Sequence, residues 1–344
     1  MRMTKYFLFL LLSFSVFAQN TSKPLVEGKK GMVVSTHPAA SEIGLAILKK
    51  GGNAIDAAVA VNFALAVCHP SAGNIGGGGF LVYRDKSGNV KALDYREKAP
   101  SAASRDMYLD PNGNIIPGKS MTGIFSVGVP GTVAGMQEMH DKLGYLPWAE
   151  LVKPAVDLAS NGLLLTEKEA RGLNRQRNEF LKENPGKTYL LSAEGKEWKQ
   201  GDLLVQSDLA ATLERIMTKK ADGFYKGKTA RFIVKEMQGQ NGLISKKDLK
   251  NYRAVWRTPI KSKYKNYQII GMPPPSSGGV ALAQLLQMVE PYSLNKWGPT
   301  SDSTIQVMVE AERRVYADRS KWLGDPDFVK VPVNELIDPA YNTN

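Results

Sequence analysis

The segment "LDYREKAP" (93–100) sets an arginine, Arg96, at the end of a strand-like apolar pattern, between Asp94 and Glu97 and ahead of a loop. A guanidinium leaving a sheet at such a point can present its planar fork of donors to a carboxylate. It can equally pair on the surface with Asp94 or Glu97, and spacing alone leaves both open. A second candidate, "SAGNIGGGGF" (71–80), places four glycines in a row. It fails as a P-loop because no Lys follows Gly79. It also fails as a dinucleotide fingerprint, because its glycines follow a helix and lead into a strand, the reverse of that order. Glycine here is expected to serve positive φ or close backbone approach, with no phosphate involved.

Other chemistries are excluded by what is missing. His37, His69 and His140 are the only histidines, with no H-E-x-x-H and no Cys/His ligand pairing, so zinc is not expected. His37 and His69 each precede a proline at a helix end and read as caps or turns. His140 shares a helix face with Met136, Met139 and Leu143. No G-x-S-x-G elbow supports a serine hydrolase. Asp325 and Asp327, in "WLGDPDFVKVP" (322–332), offer two carboxylates where calcium takes about six to eight oxygens, and turn chemistry accounts for Asp-Pro-Asp. Neither a metal nor a cofactor is expected. The single cysteine, Cys68, forbids an intrachain disulfide and sits in the apolar run "ALAVCHP", where burial is expected.

The elements that must position these residues follow from periodicity and punctuation. "HPAASEIGLAILKKGGNAIDAAVAVNFALAV" reads as two helices, with Pro38 in a first turn, Gly51 as a stop, and Asn53 capping the second above Asp56. The second helix is apolar all round and should be buried. A hairpin follows, "FLVYR" (80–84) and "VKALDYR" (90–96) around "DKSGN". Helices are predicted at about 131–143, 154–160, 167–183, 207–218, 228–237 and 246–250, the last opened by the capping box Ser245-x-x-Asp248. A strand is predicted at 266–272, then helices at 279–290 and 304–320. Strands scattered among helices imply layers of both, an α/β architecture without the regular alternation of a doubly wound sheet.

The first residues, "MRMTKYFLFLLLSFSVFAQN", have the make-up of a secretory signal peptide: Arg2 and Lys5, an apolar stretch, and Val16-x-Ala18 before the cut. Residues 1–18 are therefore expected to be removed and the protein secreted or periplasmic, with no membrane span left. The formal charge of +12 falls by two when Arg2 and Lys5 leave. Its cations are dispersed, thickest between Glu167 and Lys228, without an aromatic-interleaved cluster. A solvated basic surface is expected, and not a nucleic-acid partner.

Five strings, in order and spacing, identify the chain as resembling the gamma-glutamyltranspeptidase family: "GGNAIDAAVAVNFALAVCHPSAGNIGGGGF", "LDYREKAP", "GVPGTVAG", "MPPPSSGG" and "YADRSKWLGDPDF". The resemblance runs from about Gly31 to Pro339. It implies an αββα sandwich of the N-terminal-nucleophile hydrolase type and a precursor that cuts itself into large and small subunits. The threonine so exposed attacks the γ-glutamyl amide of glutathione, its own amino group acting as base. The acyl group then passes to water, an amino acid or a peptide. By the same resemblance Arg96 holds the α-carboxylate of the glutamyl group, while the glycine run and "PPPSSGG" support the site. Ser276, Ser277, Gly278 and Gly279 are candidates to line the cleft.

One departure from the family pattern bears on activity. The family's nucleophile begins a Thr-Thr-His-type segment, and the only Thr-His pair here is Thr36-His37, near the mature N-terminus and out of register with it. No catalytic residue is assigned within the chain. Residues 19–344 are expected to be a large-subunit region, truncated before the catalytic small subunit, inactive alone and completed by that subunit. The alternative is an exported binding protein or degenerate fragment that keeps only the carboxylate anchor; a milder one is a related amidase with a different acyl preference.

Overall fold

The computed structural model describes residues 26–184, 190–192 and 196–343; the signal-peptide segment lies outside them. Residues 26–32 carry no regular element, and the fold below is that of residues 33–343.

His37 opens α1 (Pro38–Lys49), its Nδ1 accepting the Ala39 N–H at 3.1 Å. Asn53 and Asp56 form the capping box of α2 (Ala54–Cys68), the first buried helix. The expected hairpin is β1 (Phe80–Arg84) and β2 (Val90–Asp94), after which come α3 (Thr132–Leu143) and α4 (Trp148–Asn161). Next are β3 (Leu163–Leu164), α5 (Glu167–Arg175), α6 (Arg177–Glu183) and β4 (Leu203–Leu204), then α7 (Ser207–Lys219), α8 (Asp222–Tyr225), α9 (Gly227–Gly239) and α10 (Lys246–Asn251). The remainder is β5 (Val255–Arg257), β6 (Ile260–Tyr264), β7 (Tyr267–Gly271), α11 (Gly278–Val289), α12 (Leu294–Trp297), α13 (Asp302–Trp322), α14 (Val333–Leu336) and α15 (Pro339–Thr343).

Among the described residues the strands form one antiparallel three-stranded sheet, ordered β1-β2-β5, and two hairpins, β3-β4 and β6-β7. The mixed α/β layering is as expected, while several boundaries are not. The predicted helix 154–160 starts six residues earlier and carries Pro154 inside it. Trp148, Leu151, Val152 and Val156 bury their side chains on one face. At about 1.5–3 kcal/mol each, that burial outweighs the roughly 3 kcal/mol of a mid-helix proline. The predicted helix 167–183 breaks at Gln176, whose N–H bonds back only three residues to the Leu173 carbonyl. The strand expected at 266–272 is the second arm of a hairpin whose first arm, β6, was hidden by its lysines. The strand predicted to run to Arg96 ends at Asp94, leaving Arg96 just past the regular ladder.

The main core packs α2, α3, α4 and α7 through Phe63, Val133, Met136, Leu151, Leu213 and Ile216, with Leu93 bringing in the sheet and Tyr252 the end of α10. A smaller cluster under α1 contains Cys68 and Leu204; burial pushes the Cys68 thiol up to about 11, which makes it an inert packing group. A third joins Ile260, Val280 and Leu336. His140 packs edge-on to Trp148 and bonds the Leu146 carbonyl at 2.8 Å, while His37 Nε2 donates to Glu169 at 2.7 Å.

Asp56 is fully buried and ties α2 to the turn after α3. Its carboxylate accepts the N–H groups of Asn53 (2.9 Å), Tyr145 (2.9 Å) and Leu146 (3.2 Å). Asp56→Ala leaves those donors without partners inside the core, and chemical denaturation should show a loss of about 3 kcal/mol. A second test uses acid. Burial alone would raise the Asp248 carboxyl, yet hydrogen bonds from Ser245 and the Ser101 N–H outweigh it and hold it at about 2. A depressed carboxyl stabilises the fold above its unfolded value of about 4 and loses that contribution as pH falls toward 2. Asp248→Asn should therefore flatten the pH dependence of stability between about pH 4 and 2, and an unchanged slope refutes the assignment.

Candidate functional site

Arg96 leaves the sheet on a backbone that is held from three sides. Its N–H donates to Asp94 Oδ1 (3.0 Å), and its carbonyl accepts the Tyr252 hydroxyl (2.7 Å). The third constraint is the glycine run. A Cβ on Gly78 would lie 2.5 Å from the Tyr95 carbonyl oxygen and 2.8 Å from Arg96 Cα; one on Gly79 would meet the Tyr95 ring at 2.8 Å. None of Gly76 to Gly79 has a positive φ, so close approach is the reason for glycine at 78 and 79 and the positive-φ expectation is corrected. Gly131, just ahead of α3, meets the same carbonyl, and a Cβ there would lie 2.0 Å from its oxygen.

The surroundings stiffen this arrangement. The Gly77 carbonyl accepts the N–H groups of Gly131 (2.7 Å) and Thr132 (3.0 Å), docking the start of α3 on the glycine loop. The Asn74 side chain accepts from the Gly77 N–H and the Thr132 hydroxyl, closing that loop. The rings of Tyr225 and Tyr252 stack 5.9 Å apart, and the Tyr225 hydroxyl bonds the Pro130 carbonyl at 2.7 Å. Burial pushes both phenols up, so both remain protonated donors.

The two open readings of Arg96 divide on Asp94. That carboxylate is buried, and its second oxygen takes Arg257 Nε at 2.8 Å. Arg257 turns its other two nitrogens to Asp327 at 3.0 and 3.1 Å, and that guanidinium holds the Asp327 carboxyl below the usual range. Asp94 is thus saturated by Arg257. The Arg96 side chain is exposed and makes no ion pair or hydrogen bond with any described residue.

Arg96 faces a cavity of about 580 Å³, within the usual size range of small-molecule sites. Asp94, Glu97, Lys98 and Arg257 share its wall with Pro275, Ser276 and Ser277 from the loop before α11, and with Arg319 and Leu323–Asp325 from the end of α13. Ser276 and Ser277 therefore meet Arg96 across one space. Gly278 and Gly279 open α11 and are not among the residues on its wall; a Cβ on Gly279 would sit 2.3 Å from the Met272 carbonyl oxygen, so close packing accounts for glycine at 279. Asp327 is committed to Arg257, while Asp325 Oδ1 accepts the Asp327 N–H in the expected turn. Among the described residues no three His, Cys, Asp or Glu side chains gather to hold a metal, and no helix is long and apolar enough to cross a membrane.

Sequence reasoning missed Arg257, Tyr252 and Arg319. Asp94 and Arg96, two apart along an extended chain, share a face, yet the bond between them comes from the Arg96 N–H and not from its side chain. Arg257 and Arg319 lie 161 and 223 residues downstream of Arg96, with nothing local to join them to it.

The model of the family described as Gamma-glutamyltranspeptidase matches residues 40–344. The chain is 48% identical to the Escherichia coli (strain K12) glutathione hydrolase proenzyme, over 92% of this chain and 54% of that protein. It is 39% identical to the acylase ACY 1 proenzyme of Pseudomonas sp. (strain SE83), over 93% and 58% respectively. The chain thus spans about half the length of the curated relatives it matches. The crystal structure of Helicobacter pylori gamma-glutamyltranspeptidase superposes with a TM-score of 0.90 at 48% identity, covering 93% of this chain and 91% of that one. The fold is accordingly the α/β architecture of N-terminal-nucleophile hydrolase type expected from the sequence. With the family model matching residues 40–344 and 93% of the chain superposing on a solved member, this chain belongs to the gamma-glutamyltranspeptidase family.

Proposed function

We propose that this chain forms the donor-recognising part of a gamma-glutamyltransferase, or glutathione hydrolase. The observation that carries the reading is the Arg96 fork, unpaired among the described residues, facing a polar cavity while Asp94 is occupied by Arg257. A donor's α-carboxylate would accept two parallel N–H bonds from that fork. Fixing this end leaves the γ-carbonyl at a set distance for attack, so orientation substitutes for much of the entropic barrier.

In the proposed reaction a threonine hydroxyl attacks the γ-carbonyl of glutathione, its proton passing to the threonine's own amino group. The tetrahedral intermediate collapses, and the cysteinylglycine amine leaves with a proton. Water or an amino acid or peptide amine then attacks the γ-glutamyl ester and restores the hydroxyl. That threonine belongs to a small subunit made of polypeptide other than residues 1–344. Support comes from the relatives' description as proenzymes and from the absence of a Thr-Thr-His segment in this sequence. We further propose export to the periplasm or medium, on the strength of residues 1–18. The acylase relative keeps a different acyl preference in view, but identity is higher to the Escherichia coli glutathione hydrolase proenzyme, 48% against 39%.

The direct test is release of chromogenic amine from a γ-glutamyl anilide. Full-length gene product should turn it over and purified 1–344 should not; turnover by 1–344 alone would overturn the assignment of the nucleophile. A matched donor probes Arg96. The 4-aminobutyryl anilide is the γ-glutamyl compound without its α-carboxylate. The unaltered full-length protein should prefer the γ-glutamyl donor, and Arg96→Ala should reduce that preference by about tenfold to a hundredfold, mainly through KM. An undiminished preference removes Arg96 from the site.

A further inference from the structure

Two guanidinium groups, not one, face the cavity without an acidic partner among the described residues. Of its four cations, Arg257 is spent on Asp94 and Asp327, and Lys98 stands 3.9 Å from Asp327. Arg96 and Arg319 remain. Arg319 lies in the last turn of α13 and is held at its inner nitrogen: Nε donates to Ser277 Oγ at 3.3 Å. Its guanidinium carbon lies 5.9 Å from the centre of the Tyr316 ring. With Nε bonded to Ser277 and the group at the outer reach of a cation–π contact with Tyr316, the two terminal nitrogens form a fork suited to a planar two-oxygen acceptor.

The acids on the same wall narrow the ligand. Glu97 and Asp325 also line the cavity. They disfavour a dianionic phosphate more than a singly charged carboxylate. The reading above places one carboxylate, that of the glutamyl group, on Arg96. A free second fork across the same space calls for a second carboxylate, and glutathione carries one at its glycyl end, on the leaving-group side of the scissile amide.

We infer that Arg319, positioned by Ser277, binds the carboxylate on the leaving-group side of the donor and so selects γ-glutamyl peptides over simple γ-glutamyl amides. This rests on the proposed donor role of Arg96. It makes Ser277 a positioning residue for Arg319, where the sequence marked it only as lining a cleft.

The test compares glutathione with its glycyl amide, which lacks only the second negative charge, in the full-length protein. The unaltered protein should favour glutathione by about tenfold in kcat/KM, the effect of one charge-assisted contact at an exposed site. Arg319→Gln should bring that ratio close to one, and Arg319→Lys should restore part of it. Equal rates for the two donors in the unaltered protein, or a ratio untouched by Arg319→Gln, overturn the inference. Equal rates in the unaltered protein refute the inference without any variant, while a preference is assigned to Arg319 only by the loss in Arg319→Gln and the partial recovery in Arg319→Lys. Calorimetric binding of the same two peptides yields the ratio without turnover, so a protein that cleaves no γ-glutamyl anilide counts against the proposed reaction, while the binding ratio still judges Arg319.

Discussion

The peptide units flanking Tyr95 are the constraint on which the site depends. Backbone from three separate parts of the chain converges there at distances that admit no side chain: the glycine run, the start of α3 and the end of β2. Tyr252 then closes the gap by bonding the Arg96 carbonyl. Because close packing transmits displacement with little loss, the position of Arg96 is set by the main core itself. Only its side chain keeps freedom, and that is the part that meets a ligand.

Charge is arranged with the same economy. Asp94 lies two residues before Arg96 and is the acid best placed to neutralise it. It is instead held by Arg257 from the neighbouring strand, which is held in turn by Asp327 from the turn after α13. A buried acid with no partner would be strongly unfavourable, so this chain of contacts stabilises Asp94 while leaving Arg96 unpaired among the described residues. The turn that looked like a possible cation site is one end of that chain. It also brings the end of α13, with Arg319, to the cavity.

Packing is uneven along the molecule. Helices α2 and α4 are buried over much of their length, whereas α13, with 21 residues, buries only Thr304, Ala311 and Val315. Ile305, Val309, Tyr316 and Trp322 of α13 are exposed. A helix with that much apolar surface in water has the make-up of a contact face, in keeping with the subunit partner proposed above.

Local rules carried much of the description. Capping residues His37, Asn53 and Ser245, the Asp85–Asn89 turn and the all-round apolar character of α2 depend on neighbours a few residues away, and those elements stood where they were expected. Family motifs identified the architecture and singled out Arg96. Sequence by itself determined these things because caps, turns and periodicity act through contacts only a few residues apart. What only the tertiary structure decided was the state of each charge. Whether Arg96 is free or paired, and whether Arg257 and Arg319 share its surroundings, depends on residues more than 150 positions apart. Electrostatic pairing acts through space, and only folding determines which side chains become neighbours.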